Sequence, residues 1–233
     1  MKYRNELKYL VNYYDYTFIK LRLNHLLAVD SNADPDGSYM VRSLYFDDYC
    51  NHAYNEKMAG AMSRCKYRIR LYNHAESTVH LEKKIKVGLY NHKLSAALTR
   101  DQVCQILDGN YSFLLESSNR LLQIFYYECV SKFMRPRVIV DYEREAYVME
   151  AGDVRVTFDK NVRAGVEGFD IFNREMSTVA ILDPGLLIME VKFTEFLPGI
   201  VRRILPFNAA DYVASSKYIS CCDKTPHKQI SNT

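Results

Sequence analysis

Polar and apolar residues alternate along several segments of the chain, as they do in β-strands, whose successive side chains point to opposite faces. In the segment SRCKYRIRLYN, which starts at Ser63, one face would carry Arg64, Lys66, Arg68 and Arg70, and the other Cys65, Tyr67, Ile69 and Leu71. The same period of two occurs in YRNELKYL, TVHLEKKIKVG, DVRVTFD and IMEVKF. The pattern therefore predicts five strands that each have one charged face and one apolar face.

The complete set of predicted elements consists of strands with helices inserted between them. The predicted strands are Lys2–Val11, Tyr39–Asp47, Arg64–Asn73, Thr78–Val87, Pro136–Glu150, Asp153–Lys160 and Leu186–Phe193. The predicted helices are Asp15–Ala28, Thr99–Leu107, Ser112–Val130, Pro198–Leu205 and Asp211–Cys221. We expect a two-residue turn at Ala151-Gly152 and a helix cap at Ser112. Because the helices are not interleaved one per strand, the pattern favours an α+β fold with antiparallel strands.

Length and composition are those of an ordinary globular domain. The 233 residues are 48% hydrophobic and 25% charged, and we expect one domain over residues 1–222 followed by a polar, disordered tail at 223–233. A net charge of +3 is too small for a surface that binds nucleic acid generally. Six cysteines at irregular spacings indicate neither a zinc site nor a disulfide framework. We expect a cytoplasmic protein without a membrane span, whose membrane partner, if it has one, is another polypeptide.

The charged faces of the strands require an explanation. A sheet with one solvated face alternates in the same way, but its wet face carries charges of both signs. On the predicted strands Arg64–Asn73 and Thr78–Val87 the charge is mostly positive, and like charges opposite one another destabilise a sheet unless an anion or water separates them. Arg and Lys rows that converge would be stabilised by a polyanion. The hypothesis is a closed antiparallel β-barrel of about eight strands, with a charged interior that binds phosphate chains and helices packed outside.

Short motifs along the chain resemble those of one known superfamily. RNELKY resembles the ExExK signature of the triphosphate tunnel metalloenzymes, the CYTH superfamily. SLYFDD, YRIRLY, LEKK, DYEREAYV, VRVTFD, MEVKF and SSKY follow in the order of its VTC branch, the polyphosphate polymerases, so that the resemblance covers Tyr3–Tyr218. Triphosphatase and cyclase members carry Glu where this chain has Arg4. That departure implies a weaker metal cage and a more cationic tunnel, and it favours a polymerase over a hydrolase.

The resemblance also implies a set of functional residues. The basic residues that act on phosphate would be Lys8, Arg68, Arg70, Lys84, Arg144, Arg155 and Lys217. Further substrate contacts, drawn from the same motifs and from the polar rows, would be Glu6, Lys86, Tyr142, Lys192 and Ser216, together with Lys93, which resembles a loop lysine that follows the LEKK strand in the family. Glu190 would bind the divalent metal, Mn²⁺ or Mg²⁺. The alternation independently favours Lys84 over Lys83, because Lys84 shares a face with Glu82.

The VTC branch transfers the γ-phosphoryl group of ATP to the end of a growing polyphosphate chain and releases ADP. The resemblance therefore implies ATP and inorganic polyphosphate as partners and no nucleic acid. Such a transfer needs positioning and charge neutralisation, and it needs no Ser, Cys or His nucleophile. Two alternatives use the same fold: a triphosphatase with two metals, and a module that binds polyphosphate or inositol phosphates without turnover. A third is an RNA-binding barrel that stacks bases on its tyrosines.

Overall fold

A computed structural model describes residues 5–88, 90–205 and 216–225 of the chain. The strands in this part are β1 (Asn5–Asn12), β2 (Ala28–Val29), β3 (Ser38–Asp47), β4 (Ser63–Tyr72), β5 (Val79–Val87), β6 (Tyr90–Leu98), β7 (Arg135–Met149), β8 (Val154–Gly165), β9 (Thr178–Ala180) and β10 (Leu186–Phe193). The α-helices are α1 (Tyr13–Leu26), α2 (His52–Met58), α3 (Arg100–Leu107), α4 (Ser112–Glu116), α5 (Arg120–Ser131), α6 (Gly199–Arg202) and α7 (Lys217–Lys224). None of these helices has the length and apolar character needed to cross a bilayer.

The strands form an antiparallel sheet, and the predicted α+β class is confirmed. The hydrogen-bonded order is β1-β10-β8-β7-β3-β4-β5-β6, with β2 paired to β7 and β9 to β8. The main path therefore contains eight strands, the number that the sequence predicts, and in the described part of the chain its ends are β1 and β6. The chain divides into two compact units.

The first unit comprises Met1–Met40, Tyr142–Val162 and Ala180–Ser216. Its core is formed by the apolar rows of β1, β8 and β10 together with residues of α1 and α6. In α1 the buried residues Tyr16, Ile19 and Leu23 follow the helical period and form one stripe. The ring of Tyr16 packs edge-on against Phe158 of β8, with ring centroids 5.0 Å apart. The apolar faces of these strands are thus buried against a helix.

The second unit comprises Val41–Asp141, Arg163–Val179 and Lys217–Thr233. Its core joins the apolar rows of β3, β4 and β5 to residues of α3, α4 and α5. Phe125 of α5 lies at the centre of this core, with its ring centroid 5.2 Å from that of Phe46 and 5.3 Å from that of Tyr67. The apolar side of β4 and β5 is therefore buried beneath helices, which leaves the row that contains Arg68 and Lys84 on the opposite face.

The long predicted helix Ser112–Val130 is two helices, α4 and α5. The predicted cap at Ser112 is wrong, because the residue before α4 is Tyr111, whose side chain makes no capping hydrogen bond. Ser117 Oγ accepts a hydrogen bond from the backbone N–H of Asn119, and Asn119 Oδ1 accepts one from Leu121 at the start of α5. Such local side-chain bonds compete with a continuous helix and favour a new N-terminus.

Several other boundaries differ from the prediction. In place of the expected two-residue turn at Ala151-Gly152, residues 150–153 join β7 to β8 through a short 3-10 segment, Ala151–Asp153. Its helical geometry is broken by positive φ at Gly152 and Asp153, 77° and 49°. The structure adds β2, β6, β9 and α2, and it shortens the predicted helix Pro198–Leu205 to α6. Lys93, predicted in a loop, lies on β6. Within the predicted helix Asp211–Cys221, residues 211–215 lie outside the described part. The predicted tail begins inside α7, and from residue 226 it too lies outside that part.

Gly152 provides a direct test of the connection between β7 and β8. A Cβ atom at this position would lie 2.5 Å from the carbonyl oxygen of Phe196 and 3.2 Å from Cδ of Pro198. Gly152→Ala therefore adds a backbone clash to the cost of positive φ, and we expect it to lower the free energy of unfolding by more than about 2 kcal/mol. Urea denaturation measures this change.

Gly60→Ala is the matched control for Gly152→Ala. Gly60 also has positive φ, at 68°, but a Cβ atom there would meet nothing within 4 Å. It should cost only the backbone term of roughly 1 kcal/mol. Equal losses in the two variants would show that the close approach of Phe196 does not constrain this connection.

Candidate functional site

The polar face of β4, β5 and β6 in the second unit carries basic residues directly opposite one another. Lys66 on β4 lies opposite Lys84 on β5, and Lys84 lies opposite Lys93 on β6. Two residues along β4, Arg64 lies opposite Lys86 of β5. We call these five residues the basic ladder. Because like charges at directly opposite positions destabilise a sheet, the basic ladder costs stability unless an anion binds over it.

Glu82 lies beside the basic ladder, opposite Arg68, and its side chain is buried. Its carboxylate accepts hydrogen bonds from Arg68 Nε and from Lys93 Nζ, each at 2.7 Å. Burial opposes the ionisation of Glu82, but the charges of Arg68 and Arg70 and the bond from Lys93 outweigh it and lower the pKa from 4.5 to about 2. The ionised carboxylate of Glu82 therefore holds the guanidinium group of Arg68 in place at neutral pH.

Strand β3 supplies hydroxyl groups that orient two predicted site arginines. Tyr45 lies opposite Arg68, and Ser43 lies opposite Arg70. Arg68 Nη1 donates to the Tyr45 hydroxyl at 2.9 Å, and Arg70 Nε donates to Ser43 Oγ at 2.8 Å. Each guanidinium group is thus fixed in orientation by the register between β3 and β4. A fixed planar guanidinium group favours paired hydrogen bonds to phosphate oxygens.

Helix α7 packs on the polar side of β3 and β4, unlike the helices that cover apolar rows. The ring centroid of Tyr218 lies 5.2 Å from that of Tyr45, and Lys66 Nζ lies 4.5 Å from the Tyr218 ring centroid. The Tyr218 hydroxyl donates to the buried carboxylate of Asp47. That carboxylate also accepts from backbone N–H groups in the first turn of α2. The predicted residue Lys217 is the first residue of α7.

In the first unit, the polar rows of β1, β10 and β8 carry both acids and bases. Lys8 lies opposite Glu190, and Glu6 lies opposite Lys192, which in turn lies opposite Arg155. Lys8 Nζ is 2.9 Å from the Glu6 carboxylate and 3.2 Å from that of Glu190, and Lys192 Nζ is 2.6 Å from Glu190. Burial opposes the charge of Lys8, but the two carboxylates outweigh it and raise the pKa of Lys8.

The two arginines predicted to clamp a triphosphate in this unit have carboxylate partners. Arg144 donates through Nε and Nη2 to the two oxygens of Asp159, at 2.6 and 2.8 Å. Its guanidinium carbon lies 5.1 Å from the ring centroid of Tyr142. Arg155 Nη1 lies 2.6 Å from a carboxylate oxygen of Asp30. The charges of this face are thus largely balanced within the protein.

The predicted site residues fall into two groups, one in each unit. The first unit contains Glu6, Lys8, Tyr142, Arg144, Arg155, Glu190, Lys192 and Ser216. The second unit contains Arg68, Arg70, Lys84, Lys86, Lys93 and Lys217. Arg4, on which the comparison with hydrolases depends, lies outside the described residues. The functional roles of both groups remain predictions.

Sequence reasoning missed the partners that orient these residues. Tyr45 was missed because both sides of β3 are mostly apolar or aromatic, so that a period of two gives no signal there. Tyr218 was missed because nothing in the motif SSKY distinguishes a tyrosine that faces the polar side of a sheet. Asp159 did carry a signal, since it shares the polar row of DVRVTFD with Arg155.

Glu190, the predicted metal ligand, and Glu6 share Lys8 as an ion-pair partner, at 3.2 and 2.9 Å. Among the described residues, no group of three or more His, Cys, Asp or Glu is placed to hold a metal ion. Thr157 lies opposite Glu190, and its buried hydroxyl oxygen has no hydrogen-bond partner in the same part of the chain. Two carboxylates and a hydroxyl are hard oxygen donors. They suit Mg²⁺ or Mn²⁺ that takes its remaining ligands from phosphate and water.

A family model described as the VTC domain matches residues 3–225 of the chain. This chain belongs to the VTC-domain family. The match confirms the resemblance found in the ordered motifs, from RNELKY to SSKY. No curated protein matches the sequence of this VTC domain.

Two solved structures share the fold of the VTC domain. The PH1819 protein from Pyrococcus horikoshii OT3 is 14% identical and has a TM-score of 0.51, with 95% of this chain and 99% of that chain covered. The putative adenylyl cyclase HpAC1 from Hippeastrum, described as having a dominant triphosphatase activity, is 13% identical and has a TM-score of 0.52, with 97% of each chain covered. At such identities the similarity shows the fold alone.

Removing the charge of Glu82 tests whether it holds the second unit's polar face together. Glu82→Gln leaves Arg68 without its buried carboxylate partner, so we expect a loss of about 3 kcal/mol in the free energy of unfolding at pH 7. Because the pKa of Glu82 is lowered in the folded state, its contribution is present above pH 4.5 and disappears as the pH falls towards 2. Denaturation at several pH values measures both effects.

Glu116→Gln is the matched control, because Glu116 is exposed on α4. It should change stability by less than about 0.5 kcal/mol and leave the acid dependence intact. A Glu82→Gln variant with the stability and acid profile of the parent protein would contradict the assigned role of Glu82.

Proposed function

We propose that this VTC domain is a metal-dependent phosphotransferase, which moves the γ-phosphoryl group of ATP to the end of an inorganic polyphosphate chain and releases ADP. The observation that carries the proposal is the basic ladder, in which Lys66, Lys84 and Lys93 repeat across three neighbouring strands. A polyanion with regularly spaced charges complements such a row. Membership in the VTC-domain family supports the same substrate class.

In the second unit, the proposed role of the polar face is to bind phosphate. Arg68 and Arg70, whose orientations are fixed by Glu82, Tyr45 and Ser43, grip phosphate oxygens through paired N–H groups. The lysines neutralise the charge that develops on the transferred phosphoryl group and on the bound chain. These lysines are Lys84, Lys86, Lys93 and Lys217.

In the first unit, the proposed role of Glu190 is to hold a divalent metal, with Glu6 as the second carboxylate. A bound metal would supply charge neutralisation on phosphate oxygens. Lys8 and Lys192 place positive charge beside the same carboxylates, at 3.2 and 2.6 Å from Glu190. The remaining residues donate hydrogen bonds to phosphate in this proposal. They are Arg144, Arg155, Tyr142 and Ser216.

The proposed reaction needs no nucleophile from the protein. An oxygen of the terminal phosphate of the acceptor forms a bond to the γ-phosphorus of ATP. The bond between that phosphorus and the bridging oxygen breaks, and ADP leaves with the electron pair. The chain's own residues hold the two phosphates in line and stabilise the charge on their oxygens.

A triphosphatase is the second candidate, because HpAC1 shares the fold and is described as having a dominant triphosphatase activity. In that reaction water replaces the acceptor phosphate, and the product is free phosphate. A module that binds phosphate chains without turnover is the third candidate, and the basic ladder alone would suffice for it.

Incubation of the protein with ATP and Mn²⁺ or Mg²⁺ tests the proposal. We expect long polyphosphate on a gel together with equivalent release of ADP. Lys84→Met removes one charge of the basic ladder without breaking the bonds of Glu82, and we expect it to lower the synthesis rate on the order of 10²-fold.

Lys83→Met is the matched control for Lys84→Met. Lys83 is the adjacent residue of β5 but faces the other side, where it lies 4.8 Å from the Tyr67 ring centroid and 3.9 Å from Glu128. Its variant should keep the parent rate. Free phosphate as the sole product would favour the triphosphatase, binding without ADP release would favour the binding module, and equal rates in the two variants would overturn the role of the basic ladder.

A further inference from the structure

The polar face of the second unit carries more positive charge than its carboxylates balance. The ionisable groups on this face are Tyr45, Asp47, Arg64, Lys66, Arg68, Arg70, Tyr72, His80, Glu82, Lys84, Lys86 and Lys93. The helices α2 and α7 add His52, Tyr54, Glu56, Lys57, Lys217, Tyr218, Cys221, Cys222, Asp223 and Lys224. Glu82 already accepts hydrogen bonds from Arg68 and Lys93. Asp47 already accepts from the Tyr218 hydroxyl and from the first turn of α2. If a group on this face loses a proton, the repulsion between the positive charges of the face also decreases.

Tyr45 and Lys66 are two groups on this face whose neighbours favour the loss of a proton. The Tyr45 hydroxyl accepts a hydrogen bond from Arg68 at 2.9 Å, and the Arg68 guanidinium carbon is 5.7 Å from the Tyr45 ring centroid. Lys66 lies opposite Lys84, and it contacts the same Tyr218 ring that packs against Tyr45. Both side chains are half-buried, so each remains accessible to a ligand on this face.

We propose that the Tyr45–Lys66 pair is a further part of the ligand-binding face, and that it releases a proton in the ligand-free protein and takes one up when a phosphate chain binds. The proton comes from the solvent, and no covalent bond between heavy atoms changes. The inference rests on the proposed function only in one respect, which is that the basic ladder binds phosphate chains. It does not depend on the reaction that follows.

The electrostatic surroundings of both groups support the proposal. Burial opposes ionisation of the Tyr45 hydroxyl, but the charges of Arg68, Arg70 and Lys66 outweigh it and lower its pKa to about 8. Burial lowers the pKa of Lys66 to about 8 as well, and the phenolate of Tyr45 opposes that shift. Because the two groups interact, the proton belongs to the pair. Its loss removes one positive charge from the face, whichever residue gives it up.

A bound polyanion favours the protonated forms of Tyr45 and Lys66. Its negative charge favours the cationic form of Lys66 and the neutral form of Tyr45, so it raises both pKa values. Binding therefore takes up protons where the ligand-free pair is partly deprotonated, and affinity falls as the pH rises through about 8. A neutral Tyr45 hydroxyl can also donate a hydrogen bond to a phosphate oxygen.

Calorimetric titration with long-chain polyphosphate tests the inference, because the interior phosphates of such a chain do not titrate near neutral pH. The binding enthalpy is compared in two buffers with different ionisation enthalpies, and the difference gives the number of protons exchanged. For the parent protein we expect uptake of about half a proton per site at pH 8 and almost none at pH 6. The double variant Tyr45→Phe/Lys66→Met should lose this uptake.

Tyr127→Phe/Lys132→Met is the matched control, because Tyr127 is an exposed residue of α5 and Lys132 directly follows this helix, which packs on the apolar side of the strands. It should keep the parent protein's proton uptake. Absorbance at 295 nm then assigns the proton, since the sequence contains no Trp. A tyrosinate step near pH 8 that disappears in Tyr45→Phe assigns it to Tyr45, and uptake without such a step assigns it to Lys66.

Polyphosphate binding by the parent protein at pH 8 without proton uptake would overturn this inference and leave the proposed function intact. Equal uptake by the parent protein and the double variant would also overturn it. If polyphosphate does not bind at all, the proposed function fails first, and the inference fails with it.

Discussion

Repulsion between like charges on neighbouring strands is the constraint on which the second unit depends. Two unit charges about 5 Å apart repel by roughly 1 kcal/mol in water and by about 3 kcal/mol at an effective dielectric constant of 20. The basic ladder places Lys84 between Lys66 and Lys93. On the other face of the same strands, Ile69, Leu81 and other core residues are buried against α3, α4 and α5. The free energy of this hydrophobic burial offsets the repulsion within the basic ladder. The buried face maintains the fold, and the basic ladder lies on the opposite face of the same strands.

In the first unit, by contrast, Lys8, Arg144 and Arg155 have carboxylate partners. Between β1 and β10 an acid lies opposite a base at two positions, Glu6 with Lys192 and Lys8 with Glu190, and Lys8 contacts both carboxylates. Arg144 and Asp159 form a pair with two parallel hydrogen bonds. Such pairs hold side chains in fixed positions at little net cost. The difference between the units is consistent with the proposed function, in which the second unit binds phosphate and the first unit holds the metal and donates further hydrogen bonds to phosphate.

The sequence predicts the strands of this protein better than its polar contacts. A period of two identifies the residues that face the core in β4, β5, β8 and β10, and β10 has the predicted bounds, Leu186–Phe193. Strand β6 was missed because its sequence YNHKLSAAL lacks that period. The segment is a strand because it pairs with β5 along its whole length. Asp159, Tyr45 and Tyr218 acquire their roles only through partners distant in sequence. No local sequence pattern predicts the register between β3 and β4 that places Tyr45 opposite Arg68.

Thermal unfolding at low ionic strength, with and without tripolyphosphate, is the most direct test of the charge constraint. If the basic ladder is a strained anion site, Lys84→Met should melt at a higher temperature than the parent protein without ligand, because it removes one repulsive charge. Tripolyphosphate should raise the melting temperature of the parent protein and raise that of the variant much less. A ligand-free variant that melts earlier than the parent protein, with an equal response to tripolyphosphate in both, would contradict the account.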